Sequence, residues 1–142
     1  EQFAVLFLAL RNNRVIAVSC ICSPSEVNQM DATLYFPDEK MRLDVLEANR
    51  LSRKIKARGG RMMAVEVIFK AGAVGYEHQH EHEQISYCLD GEFVFTVDGR
   101  NYPLKAGDSV YIPPSAVHGA RCLADGRILD IFTPQREDFL NA

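Results

Sequence analysis

The sequence has no apolar run long enough to cross a membrane, and it has no excess of positive charge. Its main apolar segments lie at 3–10 and 15–22, whereas a membrane-spanning helix needs about 20 residues. Lys and Arg number 16 against 19 Asp and Glu, which gives a net charge of −3. Binding to nucleic acid normally requires a basic surface. We therefore expect neither a membrane nor a nucleic acid as a partner.

Cysteine is also scarce, and the chain contains four: Cys20, Cys22, Cys88 and Cys122. Cys20 and Cys22 are too close in sequence to bridge each other easily. This pattern implies no disulfide framework, so a reducing compartment, the cytoplasm, is the expected location.

Histidine is equally rare, but the few that are present are concentrated. Three of the four lie at positions 78, 80 and 82, and the fourth is His118. Such triplets also occur as surface loops that pick up metal adventitiously, and a single later histidine could belong to the core. Turn residues bracket both halves of this pattern, which favours a built metal site: Gly72, Gly91, Gly107 and Pro113.

The length of 142 residues and the apolar content of 47% are typical of one globular domain. We expect residues 30–142, from Met30 onward, to form that domain, and residues 1–29 to be an N-terminal extension. A hairpin that turns at Asn12 and Asn13 is an alternative interpretation of the extension. A chain that begins at Met30 and fails to fold would contradict this division.

From residue 31 onward, short runs rich in β-branched and aromatic residues predict strands. Met62–Phe69 alternates between apolar and other side chains, and further runs lie at 85–89, 92–97, 109–112, 119–123 and 128–132. Asp-Gly pairs at 90–91, 98–99 and 125–126 are expected to close tight hairpins. Residues 38–50 are expected to be a short helix or a loop. Many short strands at this spacing predict an all-β sandwich or barrel.

The histidine pattern also predicts which side chains bind the metal. Side chains on an extended strand alternate, so His78 and His80 point the same way, and Gln84 shares their parity. His118 follows two prolines at the end of a strand that could pair alongside. Imidazole nitrogens and an amide oxygen suit a divalent ion such as Mn, Fe, Co, Ni or Zn. We predict these four ligands and expect His82 to lie in the turn, outside the ligand set.

A second group of candidate residues lies near the C-terminus. The run 128–132 puts Asp130 on one face with Phe132, and a carboxylate inside a barrel is costly unless it is paired or used. Arg136 follows within reach, so a structural ion pair with Asp130 is the alternative to a catalytic role. Burial beside Phe132 would raise the pKa of Asp130, whereas Arg136 and a metal ion would lower it. Glu66 is a weaker candidate for an interior acid.

Six basic residues precede the first histidine motif with no acid among them: Arg50, Arg53, Lys54, Lys56, Arg58 and Arg61. We prefer to interpret them as a solvated strand or helix face that discourages aggregation. Attraction of an anionic sugar is the alternative.

The two motifs, from Gly72 to Gly91 and from Gly107 to His118, resemble the paired signature of the cupin superfamily. This resemblance implies a small jelly-roll barrel, the double-stranded β-helix, with its core at about residues 62–139. Gln84 stands where many cupins have Glu, Ser115 where many have Gly, and Cys122 where many have Asn. The segments 78–84 and 129–139 are similar to those of KdgF-type cupins, which linearise unsaturated uronates in pectin and alginate breakdown.

The KdgF-type resemblance implies a metal-dependent enzyme that opens a 4,5-unsaturated monouronate to its open-chain 4-deoxy-5-keto isomer. It implies one divalent ion bound by His78, His80, Gln84 and His118. Asp130 would transfer the proton, Arg136 would bind the substrate carboxylate, Phe132 would form a pocket wall, and the protein would be a homodimer. A cupin dioxygenase and a non-catalytic sugar-binding or sensory cupin remain open as alternatives, because the fold hosts all of these functions.

Overall fold

The structure is a computed structural model that describes residues 5–11, 14–20 and 34–141. It divides the chain into two units, residues 1–34 and 35–142. The first unit contains β1 (Val5–Arg11) and β2 (Arg14–Cys20), which pair antiparallel with Arg11 opposite Arg14. This is the pairing that the hairpin interpretation predicts. The turn residues Asn12 and Asn13 lie outside the described residues, as does Met30, so the division at residue 30 stays a prediction.

The second unit is built from antiparallel strands, which we number onward from the first two. They are β3 (Asp44–Glu47), β4 (Leu51–Gly59), β5 (Met62–Phe69), β6 (Val74–His78), β7 (Glu83–Val97), β8 (Arg100–Lys105), β9 (Ser109–Ile112) and β10 (His118–Thr133). Their order in the sheet is β3-β4-β5-β10-β7-β8, with β6 added against β10 and β9 against β7. The two long strands, β7 and β10, therefore connect both parts of the sheet, and the all-β prediction is confirmed.

Alternation along the strands directs one face of the sheet inward. Met63 and Val65 of β5 are almost completely buried and pack with Phe132 of β10. A larger cluster surrounds Phe69 and Phe93, whose rings meet edge to face with 5.2 Å between centroids. Each such side chain contributes about 1.5–3 kcal/mol of burial free energy. The core therefore fixes the register of β10 against its two neighbours in the sheet order, β5 and β7.

The Asp-Gly pairs differ from the prediction at two of three positions. Asp98-Gly99 closes the β7–β8 hairpin, with Val97 opposite Arg100, as predicted. Asp90-Gly91 lies inside β7 and Asp125-Gly126 inside β10, so the hairpin prediction is wrong there. A Cβ on Gly91 would come 2.6 Å from the Gly126 Cα. These glycines instead let two long strands approach and change register where they bend.

The close approach at Gly91 gives a stability prediction. Gly91→Ala adds a methyl group against the Gly126 backbone, at a residue with φ of 85°. Overpacking should lower the free energy of unfolding by about 1–3 kcal/mol, in addition to the cost of the backbone conformation. Gly99→Ala is the matched control, because φ is 75° there and nothing lies within 4 Å of an added Cβ. Its free energy of unfolding should fall only by the cost of the backbone conformation, about 1–2 kcal/mol. Chemical denaturation measures both, and equal losses would contradict the close approach.

The segment 38–50 also departs from the prediction of a short helix or loop. A single 3₁₀ turn forms at Asp38–Lys40, but β3 then pairs with β4, with Asp44 opposite Arg53. Val45 and Leu46 are adjacent apolar residues and hide the period of two on which strand prediction depends. In the described part of the chain, no helix has the length and apolar character that a membrane span requires.

Candidate metal centre and adjoining cavity

Three of the predicted metal ligands converge where β6 meets β10. His78 is the last residue of β6 and lies directly opposite His118, the first residue of β10. His80 lies in the loop that leads to β7. One ring nitrogen from each of the three lies within 4.8 Å of the others, so the three histidines form a site that could hold a metal ion. His82 is not part of this cluster, as predicted, and its Nε2 lies 3.1 Å from the Gln135 carbonyl.

Backbone contacts determine which nitrogen of each histidine faces the site. Each Nδ1 lies against a carbonyl oxygen two positions away in the chain, at 2.9 Å for His78, 3.2 Å for His80 and 2.8 Å for His118. A carbonyl oxygen only accepts, so each Nδ1 carries the proton and donates it. The Nε2 lone pairs of all three rings are therefore available as ligands, an arrangement typical of histidines that bind metal.

Gln84 presents its amide oxygen to the same site. Its Nε2 donates to Ser86 Oγ at 2.8 Å and to Asp130 Oδ1 at 3.0 Å, which fixes the orientation of the amide. Its Oε1 consequently lies 3.0 Å from the Nε2 of His80. With the proton on Nδ1, both atoms offer lone pairs, so a cation held by both of them would stabilise this approach. Within the described ranges, the Nε2 of His118 is buried without a hydrogen-bond partner, so the donor set fits a divalent ion.

Two of the three histidines, His80 and His118, are also in the protonation state that ligation needs. Burial, followed by the positive charge of Arg136, lowers the pKa of His80 to about 4. Burial likewise lowers the pKa of His118, although its bond to the Ala116 carbonyl opposes the shift. Both rings are therefore neutral at physiological pH, and a metal ion does not have to displace a proton from them.

Asp130 lies beside this cluster, as the sequence predicts. On β10 it pairs with Ser86 of β7, and its Oδ1 accepts hydrogen bonds from the Ser86 hydroxyl and the Gln84 amide. Burial raises the pKa of Asp130 to about 6, while these two bonds and the charge of Arg136 act in the opposite direction. Burial therefore outweighs the opposing groups of the protein.

Arg136 and Phe132 complete the wall next to Asp130. Arg136 forms its ion pair with Asp138, through Nε at 3.0 Å and Nη2 at 2.8 Å, so the alternative of a structural Asp130–Arg136 pair is wrong. The Phe132 ring packs edge to face on His80 at 5.7 Å between centroids, and the guanidinium carbon of Arg136 lies 5.4 Å from the same ring. Phe132 thus connects the metal site to the positive group.

A cavity of about 260 Å³ opens between these groups. It is lined by the predicted site residues His78, Gln84, His118, Asp130, Phe132 and Arg136. Most of the remaining lining is apolar and includes Leu51, Val67, Phe95 and Ile128, which is typical of small-molecule sites that use a few well-placed polar groups. The cavity therefore unites the two groups of candidates that the sequence analysis found separately.

One acidic residue, Glu66, and one basic residue, Arg53, lie elsewhere than the sequence analysis expected. Glu66 forms ion pairs with Lys56 at 3.4 Å and Arg127 at 3.2 Å, on the face of β5 opposite to Val65, so it is not an interior acid of the cavity. Arg53 is buried and lines the cavity, so the interpretation of the basic run as a solvated face is wrong for this residue. The alternation of side chains along β4 could have revealed the inward position of Arg53, because Arg53 and Ile55 share one face of the strand.

Comparison with known proteins identifies the family. A family model of the cupin domain matches residues 65–132. The pectin degradation protein KdgF of Dickeya dadantii is 36% identical over 108 residues, which are 75% of this chain and 97% of that protein. This chain is a KdgF-type cupin. The predicted jelly-roll fold and the predicted family are therefore confirmed.

Solved structures agree with this assignment. KdgF from a Halomonas species has a TM-score of 0.70 and 37% identity to this cupin, over 74% of this chain and 96% of that one. An RmlC-like cupin from Shewanella frigidimarina has a TM-score of 0.71 and 40% identity, over 75% of this chain and 95% of that one. Both comparisons cover almost the whole of the related protein, so the resemblance includes the entire barrel.

Proposed function

We propose that this cupin catalyses the metal-dependent ring opening of 4,5-unsaturated monouronates that pectin or alginate breakdown releases, giving the open-chain 4-deoxy-5-keto uronate. The observation that carries the proposal is the partly buried carboxylate of Asp130, held by Ser86 and Gln84 at the edge of the three-histidine cluster. The likeness to a protein named for pectin degradation supports the substrate class.

The proposed metal ligands are the Nε2 atoms of His78, His80 and His118 and the Oε1 of Gln84. A divalent ion bound there would supply positive charge to the oxygens of the sugar. The predicted identities, Ni, Mn, Fe, Co or Zn, all accept nitrogen and oxygen donors of this kind. The identity of the metal, the homodimer and the cytoplasmic location stay predictions.

The position of Asp130 beside the histidine cluster supports a role for it in the proton transfers. Ring opening removes the proton of the anomeric hydroxyl, breaks the C1–O5 bond to leave an aldehyde at C1, and makes C5 a ketone as a proton arrives at C4. The atoms of substrate and product are the same, so no oxidant is consumed. One acid–base group can accept the first proton and deliver the second. The two hydrogen bonds to Asp130 both go to Oδ1, which leaves Oδ2 for the substrate.

The cavity fits the proposed substrate in size and charge. Its volume of about 260 Å³ lies just below the range of roughly 300–1,000 Å³ for drug-sized ligands, which suits a monosaccharide. Arg136 provides positive charge for the carboxylate. Phe132 forms an apolar wall against which a sugar ring can lie.

Ultraviolet spectroscopy tests the proposal directly. Metal-loaded protein should accelerate the loss of the enol absorbance of unsaturated galacturonate beyond its spontaneous rate, without oxygen uptake. Oxygen consumption that matches the absorbance loss would instead indicate a dioxygenase. Binding of the sugar with no acceleration would indicate a sugar-binding or sensory cupin, and either outcome would contradict the proposed reaction.

A further inference from the structure

A second guanidinium group lines the cavity, and the groups used so far do not account for it. On β4, Lys54 and Lys56 both pair with Asp38, whereas Arg53 points to the opposite face together with Ile55. Arg53 retains only 9% of its accessible surface. A charged side chain at this depth is costly unless it is paired or used.

The charge of Arg53 is incompletely paired within the protein. Its Nε lies 3.6 Å from Asp44 Oδ2, which is too long for a hydrogen bond, and that buried Nε has no hydrogen-bond partner among the residues that the structure describes. The other oxygen of Asp44 lies 2.6 Å from Arg42. Arg136, in contrast, already gives two donors to Asp138. Of the two guanidinium groups in the cavity, Arg53 therefore has more donor capacity left for an anion.

Stacking holds both guanidinium groups against one aromatic ring. The guanidinium carbon of Arg53 lies 3.8 Å from the centroid of Phe139, and that of Arg136 lies 4.2 Å from it. A guanidinium group that stacks by its face keeps its N–H donors in the plane of the group, where they can bind a carboxylate in bidentate geometry. The contact with Phe139 restrains the Arg53 guanidinium group before an anion binds, which lowers the entropy lost on binding.

We propose that Arg53 is a binding residue for the substrate carboxylate, acting together with Arg136, which contacts the same Phe139 ring. This inference rests on the proposed function, because it names the residue that would recognise the uronate in the same cavity. Arg53 would supply the unused hydrogen-bond donors, and the second positive charge would strengthen the preference for an anionic over a neutral sugar.

Binding of galacturonate and galactose to metal-loaded protein tests the role of Arg53 without any turnover, because neither sugar is unsaturated. The wild-type protein should bind galacturonate more tightly than galactose, since only galacturonate has the carboxylate. The measured quantity is the ratio of the dissociation constant of galactose to that of galacturonate. Arg53→Gln should reduce this ratio by roughly ten- to hundred-fold, the equivalent of a lost charge-assisted hydrogen bond. The dissociation constant of galactose should change by no more than about two-fold. Asp44 keeps Arg42 as a partner in this variant.

Arg58→Gln is the matched control, because it removes the same charge from an exposed position of the same strand, outside the cavity lining. It should keep the wild-type ratio. Arg53→Lys retains the charge without the planar group and should keep part of the ratio. An unchanged ratio in Arg53→Gln, or an equal loss of affinity for both sugars, would overturn the inference.

The binding ratio and the turnover assay separate the two proposals. A protein that turns over unsaturated uronate with a ratio independent of Arg53 would refute the inference alone. A protein without turnover whose ratio still depends on Arg53 would refute the proposed reaction and retain the carboxylate site. If Arg53→Gln does not fold, Arg53→Lys gives the decisive result, and a ratio equal to that of the wild type would count against the planar bidentate contact.

Discussion

Asp130→Asn should lower the turnover of unsaturated uronate by about 10²–10⁴-fold, the usual contribution of a positioned acid–base group. The variant replaces the carboxylate, which can accept and release a proton, by an amide, which cannot. The loss should appear in kcat rather than in substrate binding, because the carboxylate of the substrate is expected to contact other residues. No single change in the cavity outside the metal ligands should have a larger effect.

The geometry makes this substitution unusually specific. Asp130 Oδ1 accepts from both the Gln84 amide and the Ser86 hydroxyl, and the Oδ1 of an asparagine has the lone pairs to accept both bonds. Gln84 should therefore keep its orientation, with Oε1 towards His80. The metal site should stay intact while the proton-transfer group is removed.

Steady-state kinetics with elemental analysis of the same samples checks this prediction. Asp130→Asn should retain wild-type metal content at greatly reduced kcat. Glu92→Gln, an acid-to-amide change at an exposed position of β7, is the matched control and should keep full activity. Wild-type turnover by Asp130→Asn would show that another group transfers the proton, even if the reaction itself is correct.

His78→Ala should remove the bound metal and, with it, the activity. The alanine deletes one of the three converging ring nitrogens, and the remaining donors should hold a divalent ion much more weakly. His78 is exposed, so its removal opens no core cavity and should change the free energy of unfolding of the metal-free protein little. Elemental analysis after dialysis measures the retained metal.

His82→Ala is the matched control for the metal site. His82 lies in the same loop, but its Nε2 bonds the Gln135 carbonyl and its ring is outside the converging cluster. It should retain the metal. If His82→Ala lost metal as completely as His78→Ala, the ligand assignment would be wrong, because the loop and not the individual nitrogen would then determine binding.

The fold class and the convergence of the three histidines could be predicted because they depend on local patterns. Strand periodicity gave the core face of β5, and the spacing of His78 and His80 placed both near one site. Asp130 followed from parity on β10. In each case the relevant neighbours are close in sequence, or the motif itself specifies which strands meet.

Arg53 and the Asp-Gly pairs depend on contacts that the sequence does not contain. Arg53 is the buried member of a basic run in which Lys54 and Lys56 pair with Asp38, and composition alone cannot separate these residues. Asp90-Gly91 has the local chemistry of a hairpin, but the chain continues as a strand because Gly126 of β10 lies against it. The partner of Arg136 could not be chosen from the sequence either, since Asp130 and Asp138 are both close to it in the chain.

Proton NMR in deuterated water tests the central claim most directly, because it identifies the product as well as the rate. Metal-loaded protein should convert unsaturated galacturonate to the open-chain 4-deoxy-5-keto uronate faster than buffer does. The early product should carry one deuterium at C4 in a single configuration, since Asp130 delivers it from one face. Conversion at the buffer rate, with deuterium in both configurations, would contradict the assignment of this cupin as a ring-opening enzyme.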